Sequence, residues 1–440
     1  MSTPSASRPA IRPSARPAVR PTLIASSLLT AAVLSAGLLG PAGAASAASM
    51  DPVCPQATAF RGIDIVPATA LPEPDPHAST RISSGALPAG VTLVDGVFSG
   101  TPTATGVSMF TIEATYTDFP MKSVACTITV DAAPTPTRIQ GTDRYDQAVQ
   151  VTKSGFPTTP SGGLDVLYLA SGEKFSDALS AGSVAGVHGA PLLLTRAAAL
   201  PAVTKAEIAR LAPKTVVIAG GTASVSAGIV DAVKAAVSGV EVKRIAGADR
   251  YEVSRGLIAD ADHGVPTAAT VYLAAGATFP DALSASPAAI SVNGPVLLVD
   301  GTKPAVGDST LELLASMRAV TLRIAGGPAS VSEGIQEQLG TDLYSVTRAA
   351  GADRYQAAVA INHEAFETAK TVYLASGTAF ADALSAAPVA GANSAPIYLV
   401  QNSCVPAQVL QEIVRVHPKN IVVLGGLSTL SASIEQLKPC

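Results

Sequence analysis

One pattern of five residues returns three times at nearly constant intervals. Gly-x-Asp-Arg-Tyr stands at 141–145, 247–251 and 351–355, in steps of 106 and 104 residues. Asp-Ala-Leu-Ser follows each time, at 177–180, 281–284 and 382–385. Behind it comes an apolar run ending in a glycine pair, at Gly220-Gly221, Gly326-Gly327 and Gly425-Gly426. Three landmarks in one order, three times over, mean three copies of one unit. A period near 105 residues is too long for a solenoid repeat, so each copy must hold a core of its own. The copies are expected at 137–240, 241–345 and 346–440.

Within the first copy, apolar strands alternate with helices. Thr142 or Asp143 caps a helix through Val149. Strands are expected at 166–169, 191–194 and 215–219, and helices at 177–187 and 205–211. The glycine pair turns the chain, Ser224 or Ser226 caps a further helix, and 240–245 leads into the next copy. Near-continuous apolar strands between helices predict a mostly parallel sheet covered on both faces. The alanine-rich helix after Asp177 predicts close packing.

The N-terminal third differs. Arg8, Arg12, Arg16 and Arg20 precede an apolar stretch at 23–39 and the small-residue sites Ala42-Gly43-Ala44 and Ala45-Ser46-Ala47. That order reads as a secretory signal peptide over 1–47. The competing reading, an uncleaved anchor, is weakened by Gly37 and Gly40. From 51 to 132, short alternating runs punctuated by Gly and Pro predict a small β-sandwich. Ala132-Ala133-Pro134-Thr135-Pro136-Thr137 reads as a linker. Export permits disulfides. Among three possible pairings, spacing favours Cys54 with Cys126 and Cys404 with Cys440.

Composition narrows the function. Trp is absent and aromatics are 4%, which leaves little for stacking sugars or unpaired bases. Loss of the four leader arginines takes the formal charge from −4 to −8, a poor match to nucleic acid. No LPxTG-like sorting motif is visible, so retention at the surface would have to be non-covalent. Cys and His are not closely paired, so no metal site is expected, and no cofactor motif is present. No nucleophile–His pair, HExxH or carboxylate dyad stands out, and the chain reads as a non-enzyme.

Leu87-Pro88-Ala89-Gly90-Val91, then Gly96-Val97-Phe98-Ser99-Gly100-Thr101-Pro102, resembles the Ig-like domains of bacterial surface proteins, which implies a spacer or adhesive sandwich. The copies resemble the cell wall-binding repeat 2 family on R-x-x-G-x-D-R-Y, here Arg138 to Tyr145, Arg244 to Tyr251 and Arg348 to Tyr355. They also follow its Y-L-A-S-G-x-x-F-x-D-A-L-S, with Ala275 in place of the serine in the second copy and Phe175, Phe279 and Phe380 before the aspartates. The resemblance implies three tandem copies in a pseudo-threefold arrangement. It also implies a secreted cell-surface protein anchored without covalent bonds to an anionic polymer of Gram-positive walls, teichoic-acid-like or a secondary wall polysaccharide. The family's P-L-L motif, near the module junctions, reads Pro191-Leu192-Leu193, Pro295-Val296-Leu297 and Pro396-Ile397-Tyr398. Family members can accompany amidases, so a secreted, non-catalytic modulator of a wall hydrolase is the alternative.

Arg144, Arg250 and Arg354 are the foremost ligand candidates. A guanidinium fork suits phosphate or carboxylate oxygens, and one weak contact per copy would add through effective concentration. The competing reading has Asp143, Asp249 and Asp353 capping helices while each Arg pairs with an acid such as Asp177. Arg138, Arg244 and Arg348 form a second basic set, with solvated or intramodule roles as their alternative. Asp177, Asp281 and Asp382 are expected to be helix N-caps, and the glycine pairs tight turns. The basic residues are expected to gather near module junctions.

Overall fold

A computed structural model describes residues 51–440 apart from 73–76, 118, 160 and 342; the leader read at 1–47 lies outside the described residues. The N-terminal region is a sandwich of strands β1 (Thr58–Arg61), β2 (Ala68–Thr69), β3 (Ser79–Gly85), β4 (Val91–Val94), β5 (Val97–Gly100), β6 (Gly106–Thr115) and β7 (Lys122–Ala132). One sheet runs β1-β7-β6-β3 and the other β2-β5-β4. Alternation along β6 and β7 sends Phe110, Ile112, Cys126, Ile128 and Val130 inward against Phe98. A disulfide joins Cys54 to Cys126.

Strand β8 (Thr137–Ile139) comes next, and then the first copy: α1 (Arg144–Gly155), β9 (Val166–Ser171), α2 (Ser176–Val187), β10 (Leu192–Thr195), α3 (Ala202–Leu211), β11 (Thr215–Ala219), α4 (Gly228–Lys234) and β12 (Glu241–Ile245). The second copy gives α5 (Arg250–Ala259), β13 (Thr270–Ala275), α6 (Pro280–Ser291), β14 (Val296–Val299), α7 (Asp308–Ser316), β15 (Thr321–Ala325), α8 (Glu333–Leu339) and β16 (Ser345–Ala349). The third gives α9 (Arg354–Ala365), β17 (Thr371–Ser376), α10 (Ala381–Leu384), α11 (Ala386–Ala392), β18 (Ile397–Val400), α12 (Ala407–Val416) and β19 (Asn420–Leu424). A second disulfide, Cys404 to Cys440, ties down the segment after β19.

Each copy supplies an all-parallel, four-stranded sheet, in the orders β10-β9-β11-β12, β14-β13-β15-β16 and β18-β17-β19-β8. Every residue of β9, β10 and β11 is buried, which is why these strands read as unbroken apolar runs. The third sheet takes its last strand from the far end of the repeat region. β8, which opens the span expected for the first copy, pairs with β19 through Val422–Thr137, Val423–Arg138 and Leu424–Ile139. The three modules therefore close into a ring.

Helices α2, α6 and α11 pack on one another at its centre. Gly186, Ile290 and Gly391 are equivalent, each nine residues beyond its module's aspartate. A Cβ on either glycine would overlap the Ile290 side chain, so one large residue fills a space that three could not share. The sandwich is mounted on the third module rather than hung from a linker. Phe60 and Ile63 are buried in one apolar cluster with Leu410 and Val414 of α12. Phe60 stacks on His417 at 4.3 Å, and Gln56 donates to the Val414 carbonyl at 2.9 Å.

Candidate functional site

Parallel strands in the order second-first-third-fourth leave a crevice at the carboxyl ends of the first and third, where sheets of this kind receive ligands. Here the chain fills that crevice itself. Asp177, Asp281 and Asp382 lie against Gly220, Gly326 and Gly425, whose φ values are +107°, +105° and +106°. A side chain at any of the three would meet the carboxylate as well as backbone strain, so the glycine is required. Ser224, Ser330 and Thr429 hydrogen-bond the three carboxylates in turn.

These aspartates are not N-caps, contrary to the sequence expectation. Phe175, Phe279 and Phe380 occupy the cap positions, and no side chain caps the three helices. The spacing F-x-D places each aspartate on the second residue of its helix, turned toward its own glycine turn. Asp143, Asp249 and Asp353 do cap: each accepts from two backbone N–H groups of the following turn.

The three cap phenylalanines meet on the ring axis. Their ring centroids are 6.1, 5.5 and 5.9 Å apart, within the range of favourable aromatic pairs. An arginine from a neighbouring module stands beside each ring: Arg250 5.8 Å from Phe175, Arg354 6.0 Å from Phe279 and Arg144 5.7 Å from Phe380. Each arginine also donates through Nη1 to its own module's glycine carbonyl, Gly172 at 2.6 Å, Gly276 at 2.6 Å and Gly377 at 2.5 Å. These arginines thus bridge the junctions. Arg144 and Arg354 are exposed and Arg250 is half-buried.

Their charges reach the aspartates across the same junctions, Arg250 to Asp177, Arg354 to Asp281 and Arg144 to Asp382. Burial outweighs this pull and raises all three carboxyls above the usual range. Arginine and acid meet electrostatically across a junction, not as a pair within one module.

The other sequence candidates lie elsewhere. Arg244 donates to the carbonyls of Gly220 and Ser226, and Arg348 to those of Gly326, Val331 and Ser332. Arg138 donates to Glu435 and to the Gly425 carbonyl, holding β8 to the third module. These three staple the glycine turns. Pro191, Pro295 and Pro396 are buried at the starts of β10, β14 and β18, where each carbonyl accepts from the central strand. Leu192 and Leu193 are fully buried. The motif does touch a junction, since Ser183 of the first module accepts from the Val296 amide of the second at 2.9 Å. Tyr398, the third module's departure from the motif, donates to buried Glu412 at 3.0 Å.

The phenylalanine triad was missed as a site element. Its signal was available, an aromatic residue two positions before each repeated aspartate in otherwise small-residue segments.

The model for cell wall binding domain 2 (CWB2) matches residues 138–230, 244–336 and 348–435, more than half of the chain. The chain belongs to the CWB2 family. A second model, named "Putative Ig domain", matches residues 45–131. Among solved structures, the chain is similar in fold to Cwp6 from Clostridium difficile, with a TM-score of 0.62 and 21% identity over 87% of this chain and 67% of that one. Cwp8 from the same organism has a TM-score of 0.60 and 23% identity over 75% and 58%. Curated relatives are N-acetylmuramoyl-L-alanine amidase LytC of Bacillus subtilis (strain 168), 27% identical over 312 residues, and the amidase enhancer of the same strain, 26% identical over 308. The match spans 68% of this chain and 58% of the amidase, and 70% of this chain and 41% of the enhancer. CWB2 domains are binding modules, and the chain is a wall-binding protein of the cell surface. Among the described residues, no helix is long and apolar enough to cross a membrane.

Proposed function

We propose that this CWB2 chain is a non-catalytic surface protein held on an anionic wall polymer by Arg144, Arg250 and Arg354, and that it displays the Ig-like sandwich. The observation that carries this reading is the gathering of all three arginines around one axis, each with one nitrogen committed to a glycine carbonyl. The remaining guanidinium donors are available to phosphate or carboxylate oxygens. A ring of three cations gives an acidic protein a local basic face. Arg138, Arg244 and Arg348, with donors spent on backbone carbonyls, serve as scaffolding. The ligand crevice of each sheet is filled by the chain's own aspartate, which supports binding rather than catalysis.

The test is co-sedimentation of the chain lacking residues 1–47 with purified walls, before and after acid extraction of secondary polymers. Binding should be lost on extraction. Arg144→Ala, Arg250→Ala and Arg354→Ala together should weaken it at least about tenfold, about 1.4 kcal/mol, when measured well below the variant's melting point, which falls because the glycine-carbonyl hydrogen bonds are lost with the side chains. Unaltered binding by the triple variant would remove the axial arginines from the site. The resemblance to an amidase enhancer supports a second reading, a modulator of a wall hydrolase. That reading is favoured if the chain binds no wall preparation yet alters the rate of an added amidase.

A further inference from the structure

The repeat supplies its own comparison at the residue after the second strand of each module: Arg196, Asp300 and Gln401. In the first module the Arg196 guanidinium lies 5.0 Å over the Tyr145 ring, with Nη2 3.8 Å from Asp143 Oδ2. The second module keeps the tyrosine and the capping aspartate, as Tyr251 and Asp249, but has Asp300 in place of the cation. What remains is a cleft of about 160 Å³ whose lining includes Asp249, Tyr251, Arg255, Asp300, Lys303 and Gly307.

Asp249 spends Oδ1 on the amides of Tyr251 and Glu252. Its Oδ2 is the counterpart of the atom that faces Arg196, and it has no partner among the described residues. Asp300 accepts from the Thr302 amide at 3.2 Å and hydroxyl at 2.7 Å, which holds its carboxyl below the usual range. Two carboxylates and an aromatic ring therefore stand where the sister module holds a guanidinium. Arg255 and Lys303 add positive charge to the same cleft. The Lys303 charge reaches Asp300, yet the two form no ion pair within 4 Å among the described residues.

We propose that this cleft is a second ligand site, which takes a small zwitterion. Its ammonium occupies the place of the Arg196 guanidinium, between Asp249, Asp300 and the Tyr251 ring, and its carboxylate turns toward Arg255 and Lys303. An amino acid with free ammonium and carboxylate, such as the end of a peptide carrying a diamino acid, has that chemistry. Arg250 sits between Asp249 and Tyr251 in the chain but does not line the cleft, and the site does not require the axial arginines to bind polymer.

The experiment titrates the chain lacking residues 1–47 with meso-diaminopimelate, by calorimetry and saturation-transfer NMR. Cadaverine, which lacks carboxylates, and pimelate, which lacks ammonium groups, run in parallel. Saturable one-site binding near about 1 mM is expected, and binding of either control at least about tenfold weaker. Asp300→Arg copies the first module, so its own side chain should fill the cage and weaken binding at least about tenfold with the fold intact. Asp300→Asn, isosteric with the native residue, should weaken binding in the same direction. No saturation by about 20 mM, roughly twentyfold above the expected dissociation constant, would overturn the site. Unchanged binding by both variants would overturn it too, and equal binding of cadaverine would overturn the zwitterion assignment. Each of these results is independent of wall sedimentation.

Discussion

Ile290 is the single large side chain among three equivalent positions, and the glycines opposite admit it. Gly186→Val or Gly391→Val should each cost about 1–3 kcal/mol through overpacking. Ile290→Ala should cost about 2–4 kcal/mol through the cavity it leaves. Combining Gly186→Val with Ile290→Ala should cost less than the sum, and urea denaturation of the four proteins measures that coupling. The buried aspartates carry a pH prediction. Burial raises the folded-state pKa of Asp177, Asp281 and Asp382, so the folded chain holds their protons more tightly than the unfolded one. Their favourable contribution is complete below the unfolded pKa of about 3.9 and is lost as pH rises through the higher folded values. The triple Asp→Asn variant should gain stability relative to the native chain as pH rises from about 4 to 7, read from urea midpoints at each pH. A difference that stays flat with pH would show that burial does not govern these groups. At this scale the caps were legible, because Asp143, Asp249 and Asp353 sit just before apolar-periodic segments. Asp177 was misread because an acid near a helix start looks the same at the cap and two residues later. Only the tertiary position of the glycine turn separates the two.

Among the elements, α3 and α12 are counterparts with different outer faces. Lys205 and Ala209 of α3 are exposed, while the equivalent Leu410 and Val414 of α12 are buried against Phe60 and Ile63. The second apolar stripe makes α12 a seat for the sandwich. Phe60→Ala should destabilise by about 3–5 kcal/mol. Leu410→Lys, which copies the first module, should release the sandwich without unfolding the ring. Limited proteolysis at 133–136 reads this out, with faster cleavage in both variants than in the native chain. Sequence reading gave this stretch as a linker, which its Pro and Thr content supports. The docking was hidden, because an extra apolar stripe on one helix does not say which surface covers it.

For the whole molecule, three equivalent hydrogen bonds join each glycine turn to the fourth strand: Gly220 to Ile245 at 2.8 Å, Gly326 to Ala349 at 2.8 Å and Gly425 to Ile139 at 2.9 Å. In the full chain the three glycine amides should show similar hydrogen-exchange protection. In a chain beginning at residue 140 only Gly425 should lose it selectively; loss at all three would mean that the ring is one cooperative unit. The parallel sheets and their threefold repetition were readable from the landmarks alone. The exchange of β8 into the last sheet was not, since Arg138 opens the first copy's own motif and so reads as part of that copy rather than as a strand of the third. That exchange also sets a timetable. β8 emerges well before β19 during export, and Arg138 reaches a carbonyl 287 positions away. A chain cut short before β19 leaves the first strand without its neighbour and Phe60 without its seat. Such a product would stay open to extracellular proteases, so only complete copies would persist on the wall.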